Sequence, residues 1–268
     1  MSPHVKRWIT GVIAVPLLFW IIAYGTEWLF AALIVAATLV GVAEYNRMAF
    51  GEGLRREKIE TMAAAVAILL AAAAGQTALM LAIISVAVMA VLILNLLGGG
   101  EQGPDMVPAG RAILGILYIP LLMAHFILLR SVPQGVLWIF LLLVVAFSGD
   151  TAAYYVGRNL GKAKLLPKVS PGKTVEGTIG LVVGSTAGAL IFRQLFFPGL
   201  PVAHFAVLGV VGSIVGQLGD LCESALKRAA GVKDSGKLLP GHGGILDRLD
   251  CLMFMAPFVY YYQALIVR

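Results

Sequence analysis

Thr77–Leu97 reads TALMLAIISVAVMAVLILNLL and carries no charged side chain from end to end. A helix of about 20 such residues matches the hydrocarbon thickness of a bilayer, and inside lipid only a helix or a closed barrel satisfies its own backbone. The stretch therefore reads as a transmembrane helix, and comparable runs recur along the chain. Working outward from it, spans fall near Trp8–Tyr24, Glu27–Ala43, Thr61–Gly75, Thr77–Leu97, Ala109–Leu129, Gln134–Gly157, Val175–Phe196, Val202–Glu223 and Leu249–Val267. The third is short and the Gly75-Gln76 break after it is slight, so the third and fourth read either as one helical hairpin or as a long bent segment. With 268 residues, 60% of them hydrophobic and 13% charged, and a mean hydropathy of +0.92, the expected fold is all-α: a polytopic integral membrane protein of about nine transmembrane helices.

Lys6 and Arg7 before the first apolar run imitate a secretory signal, but many spans follow and no cleavage site is evident, so it reads as a retained first span. Two cysteines give no disulfide framework. Cys222 and Cys251 lie at the edges of apolar segments and read as small buried thiols.

Loop charge sets the orientation, because cytoplasmic loops carry an excess of Lys and Arg. Of the 20 Lys and Arg, all but Arg130, Arg193 and Arg268 fall on one side when nine spans are threaded through a membrane. The N-terminus is then cytoplasmic and the C-terminus outside. The net charge of +6 thus describes a one-sided basic surface, suited to anionic headgroups or a phosphate-rich cytosolic substrate. Nucleic acid is not expected, since the basic loops are short and lack interleaved aromatics. Tyr45–Glu60 mixes charge with Met48, Phe50, Leu54 and Ile59, and reads either as an interfacial segment or as a solvated connector.

Half of the fourteen Asp and Glu come after position 149. Asp150, Glu176, Asp220, Glu223, Asp247 and Asp250 sit in or against predicted spans. A carboxylate at membrane depth costs at least about 2.5 kcal/mol and ordinarily faces a polar cavity with partners, so six of them argue for a common cavity. Asp220 and Glu223 are three apart, as are Asp247 and Asp250, which puts each pair on one helical face. Such pairs beside a bound nucleotide suit a hard divalent cation such as Mg²⁺, which takes carboxylate oxygens, substrate phosphates and water. The plainer alternative is that the acids pair with Lys227, Arg228 or Arg248. Gly209, Gly212, Gly216 and Gly219 form a small-residue stripe on the eighth span and Gly180, Gly184 and Gly188 another on the seventh, so these two helices are expected to pack closely on each other.

Two loops have the chemistry to hold phosphate. Ser170-Pro171-Gly172-Lys173-Thr174 feeds a helix whose free N–H groups and dipole favour anions. It resembles a P-loop only faintly, and a capped helix entry, with Ser170 or Thr174 as cap, explains it equally well. Lys233, Lys237 and His242 with Gly243-Gly244 would wrap a polyphosphate, glycines allowing close backbone approach and lysines supplying mobile charge.

Taken together, Ser224-Ala225-Leu226-Lys227-Arg228, Lys233-Asp234 and Leu239-Pro240-Gly241-His242-Gly243-Gly244-Ile245-Leu246-Asp247-Arg248-Leu249-Asp250 closely resemble the signature of phosphatidate cytidylyltransferases, the CDP-diacylglycerol synthases. Gly149-Asp150-Thr151-Ala152-Ala153-Tyr154, the Ser170–Gly177 run and Gly216–Ser224 are similar to the same family. The resemblance covers about the C-terminal half. Residues 1–140 match only as hydrophobic spans, a scaffold with possible dimer contacts, and 141–268 are expected to hold the cytoplasm-facing site. The resemblance implies transfer of the cytidylyl group of CTP to phosphatidate, giving CDP-diacylglycerol and pyrophosphate, by a Mg²⁺-dependent, dimeric enzyme of a bacterial inner membrane, with room for a second cation. On that reading Asp220, Glu223, Asp247 and Asp250 organise the metal, and Asp220, Lys227, Asp247 and Asp250 are the catalytic set. Ser170, Lys173, Thr174, Arg228, Lys233, Lys237 and His242 would bind the substrates, and the lipid would enter through a cleft between spans. A CTP-dependent polyprenol kinase shares the nucleotide and metal logic. An ion-coupled transporter would also place acids in Gly-rich helices, but these acids gather at one membrane face and no inverted repeat is visible.

Overall fold

The computed structural model describes residues 15–98, 103–236, 238 and 243–267. Its helices are α1 (Val15–Tyr24), α2 (Glu27–Phe50), α3 (Arg55–Ala73), α4 (Thr77–Leu97), α5 (Met106–Tyr118), α6 (Pro120–Ser131), α7 (Gly135–Leu160), α8 (Val175–Phe196), α9 (Val202–Ala229) and α10 (Leu246–Tyr262), the last continued by a π-helical turn, Gln263–Val267. The sheet content among the described residues is one antiparallel ribbon, β1 (Lys164–Leu166) with β2 (Ser170–Thr174). Seven spans among the described residues are long and apolar enough to cross a membrane, with α5 and α6 counted as one span. The all-α polytopic fold class is therefore what the chain adopts.

The chain divides into two compact units. The first takes the described residues of Met1–Ser131 with those of Asp234–Arg248, the second Val132–Lys233 with Leu249–Arg268. The boundary placed at 140 from sequence falls inside α7.

In the first unit α3 packs against α2, α4, α5 and α6, and buries Ala65, Ile68 and Leu69 completely. Its first turns carry Arg55, Arg56, Glu57, Lys58 and Glu60, which is why the expected third span is not among the seven. Gly75 sits at a φ of 69, a left-handed conformation open to glycine, and reverses the chain into α4, so the third and fourth segments are a hairpin. The fifth span breaks between α5 and α6 at Pro120, whose missing N–H and ring are incompatible with an uninterrupted helix. Tyr45–Glu60 is not a separate interfacial helix. It comprises the buried end of α2, a turn and the start of α3.

In the second unit α7, α8, α9 and α10 run antiparallel in succession. α8 and α9 pack closely on each other, as the sequence predicts, but the α8 stripe does not face the α9 stripe. A Cβ on Gly180 would meet Val156, one on Gly184 would meet Ala152 and the Ser148 carbonyl, and one on Gly188 would meet Ser148, so that stripe packs on α7. On α9, Gly212, Gly216 and Gly219 face Phe258, Met255 and Phe254 of α10, and Gly209 faces Thr186 of α8. Spacing shows which face of a helix is small, but not which neighbour fills it. Along α9 the exposed positions include Leu218, Cys222 and Ala225, on the side away from the glycines. Cys222 is therefore exposed rather than buried, and Cys251 is half-buried, both as free thiols.

One end of this unit is closed by aromatics. Trp138 stacks on Phe205 with centroids 6.2 Å apart and packs on Phe197 at 4.9 Å. The other end, formed by the later turns of α7 and α9, the ribbon and the start of α8, holds the polar residues.

Candidate active site

At that polar end the second unit has a cleft of about 340 Å³ lined by Asp150, Tyr154, Arg158, Lys173, Thr174, Gln217 and Asp220, with Gly157, Gly172 and Gly177. A smaller recess shares Asp150, Lys173, Gln217 and Asp220 and reaches Ser213, Cys251 and Met255. Each wall follows from local sequence. Thr174 ends β2 and caps α8, its Oγ1 accepting from the N–H of Gly177 at 3.1 Å. Its carbonyl accepts from Thr178 Oγ1 at 3.1 Å, and Thr178 Oγ1 in turn accepts from Gln217 Nε2 of α9 at 2.8 Å. Glu176 closes the ribbon from the far side, accepting from the backbone N–H groups of Lys162 and Ala163 at 3.0 and 3.2 Å.

The centre of the cleft is an ion pair. Lys173 Nζ on β2 lies 2.6 Å from Asp220 Oδ2 on α9, and the other oxygen of Asp220 accepts from Ser224 Oγ at 3.3 Å. Asp150 on α7 feels the charges of both Asp220 and Lys173. Asp250 on α10 feels those of Asp220, Lys173 and Lys227. Its Oδ1 also accepts from the N–H of Cys251 at 2.8 Å. Three carboxylates from three helices thus share one field, with lysines as the opposing charges.

Lys227 is ion-paired with Glu223, the latter almost fully buried. Arg228 donates to the carbonyls of Val169 at 3.3 Å and Val232 at 3.0 Å, tying the ribbon to the end of α9. Ser170 starts β2 half-buried, and Lys233 is exposed beyond α9. Lys237 and His242 lie outside the described residues. Two of the three expected stretches are thereby brought together, through Lys173 and Asp220.

Asp247 belongs to the first unit, in the first turn of α10. Its Oδ2 accepts from the N–H of Ser235 at 2.9 Å, the Ser235 hydroxyl at 2.9 Å and the N–H of Gly244 at 2.7 Å. Gly243, at a φ of +81, shapes this turn, and a Cβ there would come 2.6 Å from Asp247 Oδ2.

Glu44 joins the same cluster, and the sequence reading missed it. It lies on α2, is 2% exposed, and accepts from Ser235 Oγ and from the N–H groups of Ile245 and Leu246. The signal that points to it is the same cost of burying a carboxylate that singles out the acids after position 149.

The comparisons with known proteins agree with this chemistry. The model described as Cytidylyltransferase family matches residues 5–266. A Staphylococcus haemolyticus protein named phosphatidate cytidylyltransferase is 34% identical over 255 residues, 94% of this chain and 95% of that one. A Synechocystis protein of the same name is 32% identical over 290 residues, 98% and 97% of the two chains. The Bacillus subtilis protein of that name is 46% identical over 157 residues, which is 58% of each chain. The chain belongs to the cytidylyltransferase family.

Proposed function

We propose that this protein transfers the cytidylyl group of CTP to phosphatidate, forming CDP-diacylglycerol and releasing pyrophosphate, with the cleft of the second unit as its reaction site. The observation that carries the reading is the Lys173–Asp220 pair, set with Asp150 in one cleft of a cytidylyltransferase-family chain. A phosphate oxygen of phosphatidate attacks the α-phosphorus of CTP in line. The new P–O bond forms as the bond to the β-phosphate oxygen breaks, and pyrophosphate carries the electron pair away. A phosphate oxyanion is already a competent nucleophile, so the protein's task is positioning and charge neutralisation. Lys173 and Arg158, both lining the cleft, supply positive charge there. The capped N-terminus of α8 behind Thr174 adds backbone N–H groups and a favourable dipole.

Mg²⁺ fits the donor set on chemical grounds. The cleft offers hard carboxylate oxygens from Asp150 and Asp220, and Asp250 on α10 is near enough to feel the charge of Asp220. Mg²⁺ ordinarily takes one or two carboxylates and completes its shell with phosphate oxygens and water. Asp220 and Asp250 would hold it, and Asp247, in the first turn of α10, is carried over from the resemblance as a further catalytic carboxylate. Glu223 is already engaged by Lys227. When bound, the ion offsets the negative charge of the triphosphate and of the leaving pyrophosphate.

Among the described residues of the second unit, every basic residue but Arg193 (Arg158, Lys162, Lys164, Lys168, Lys173, Lys227, Arg228 and Lys233) borders the same end of the unit as the cleft. That bias supports a cytoplasm-facing site in a bacterial inner membrane. The homodimer implied by the resemblance belongs to the same proposal. The test is to incubate purified protein with phosphatidate, Mg²⁺ and CTP labelled in the cytidine. A cytidine-bearing lipid with one pyrophosphate per lipid supports the assignment. Release of CDP would point to a kinase, and absence of any covalent product would sink the reading.

A further inference from the structure

Glu44 is buried on α2 at 2% exposure, 201 residues before Ile245 in sequence, yet its carboxylate is committed to the segment that carries Asp247. Oε1 accepts from the N–H of Ile245 at 3.0 Å. Oε2 accepts from the N–H of Leu246 at 3.0 Å and from Ser235 Oγ at 3.1 Å. Ser235 in turn donates its N–H to Asp247, and its one hydroxyl hydrogen is shared between Glu44 and Asp247 Oδ2, 2.9 Å away. Glu44 therefore grips the chain on either side of residues 237–242 and reaches Asp247 through one intervening serine. The glycines around it are cut to fit. A Cβ on Gly236 would strike Glu44, and one on Gly244 would strike both Ser235 Oγ and Glu44. Gly244 in the signature is thus small because a carboxylate from α2 occupies the space beside it.

We infer that Glu44 is the positioning residue for Asp247, an inference that rests on the functional reading given above. A carboxylate has two acceptor oxygens, and here they face three donors. Glutamine keeps the size but turns one acceptor into an NH₂ donor, which must then oppose either the N–H of Ile245 or the pair formed by Leu246 and Ser235. The grip opens and the Ser235–Asp247 bonds lose their anchor. Aspartate retains both acceptors on a shorter stem and restores part of the grip. Groups that orient a functional carboxylate from behind are commonly worth about 10–100-fold in activity or metal affinity.

The test compares wild type, Glu44→Gln, Glu44→Asp and Asp247→Asn as full-length proteins in lipid nanodiscs. Readouts are cytidine-lipid formation, KM for both substrates, Mg²⁺ dependence, melting temperature and hydrogen exchange at Ile245 and Leu246. Glu44→Gln should melt as a folded protein, exchange faster at those two amides, lose about tenfold or more in kcat with KM values little changed, and need several-fold more Mg²⁺ for half-activation. Glu44→Asp should recover part of kcat, and Glu44→Gln added to Asp247→Asn should cost little further. Wild-type kcat and Mg²⁺ dependence in Glu44→Gln, or a Glu44→Asp variant no better than it, overturns the inference. A Glu44→Gln variant that does not fold leaves Glu44→Asp to decide: kcat and Mg²⁺ dependence both unchanged, with faster exchange at Ile245, would also overturn it. If wild type makes no cytidine-bearing lipid, the functional reading falls and takes this inference with it. If wild type does make it, only the variants bear on Glu44.

Discussion

Replacing Lys173 by Met removes one positive charge and keeps most of the stem. At 2.6 Å from Asp220 the bare Coulomb attraction is ~6 kcal/mol for an effective dielectric of about 20. Both side chains are partly wetted, at 23% and 34% exposure, so screening and desolvation leave a net contribution of about 1–3 kcal/mol to stability. That loss lowers the melting temperature without abolishing the fold. Catalysis should suffer more. A preorganised charge aimed at a phosphoryl group in its transition state is worth about 3–4 kcal/mol, or roughly 100- to 1000-fold. Lys173→Met is therefore expected to lose about 100-fold in kcat/KM for CTP, measured by cytidine-lipid formation. Lys168→Met, on an exposed lysine in the turn of the same ribbon, is the control and should change little. With Asp220 freed of its ion-pair partner and Asp150 of the same positive charge, the Mg²⁺ concentration for half-activation should fall. A Lys173→Met enzyme within threefold of wild type, or one no more impaired than Lys168→Met, would refute the reasoning.

Three further outcomes are expected. Gly219→Ala places a Cβ 2.6 Å from the carbonyl of Asp250 and 2.9 Å from the ring of Phe254, so α9 and α10 must part. It should cost about 1–3 kcal/mol of stability by overpacking, read by thermal melting, and should lower turnover by displacing Asp250. Gly172→Ala, with nothing within 4 Å of the added carbon, should melt like wild type. Thr174→Val removes the cap of α8 and should cost about 1 kcal/mol, while Thr174→Ser retains the capping oxygen and should not. Stripping divalent cations with a chelator should abolish product formation, and added Mg²⁺ should restore it. Full activity in excess chelator would remove the metal from the account.

Much of the site was visible in the sequence because its parts are local. Thr174 could be read as a cap from its place before Val175-Glu176, and Asp220, Lys173 and Asp250 drew attention as charges against apolar spans. That Lys173 and Asp220 would meet was not readable from spacing, since 47 positions and a whole helix separate them, and only the antiparallel packing of α8 and α9 fixes the encounter. The ribbon was missed because its strands span 3 and 5 residues and show no alternation of apolar and polar side chains. The break at Pro120 was legible from proline chemistry but was absorbed into a long apolar run. The glycine stripes rightly predict that α8 and α9 pack together, but most of their glycines serve other neighbours, α7 for α8 and α10 for α9. Glu44 is hard to read because it falls just past the predicted end of the second span, beside Asn46 and Arg47 in what looks like a polar connector, and its partners lie some 200 residues away.

The central claim is that the triphosphate of CTP sits in the cleft of the second unit. It is tested most directly by an experimental structure with Mg²⁺, a non-reactive CTP analogue and phosphatidate. The account predicts the α-phosphorus beside Lys173 and Asp220, with the α8 N-terminus at Thr174 facing the phosphates. A nucleotide bound elsewhere, with Lys173 still paired to Asp220 and touching no ligand, would contradict it.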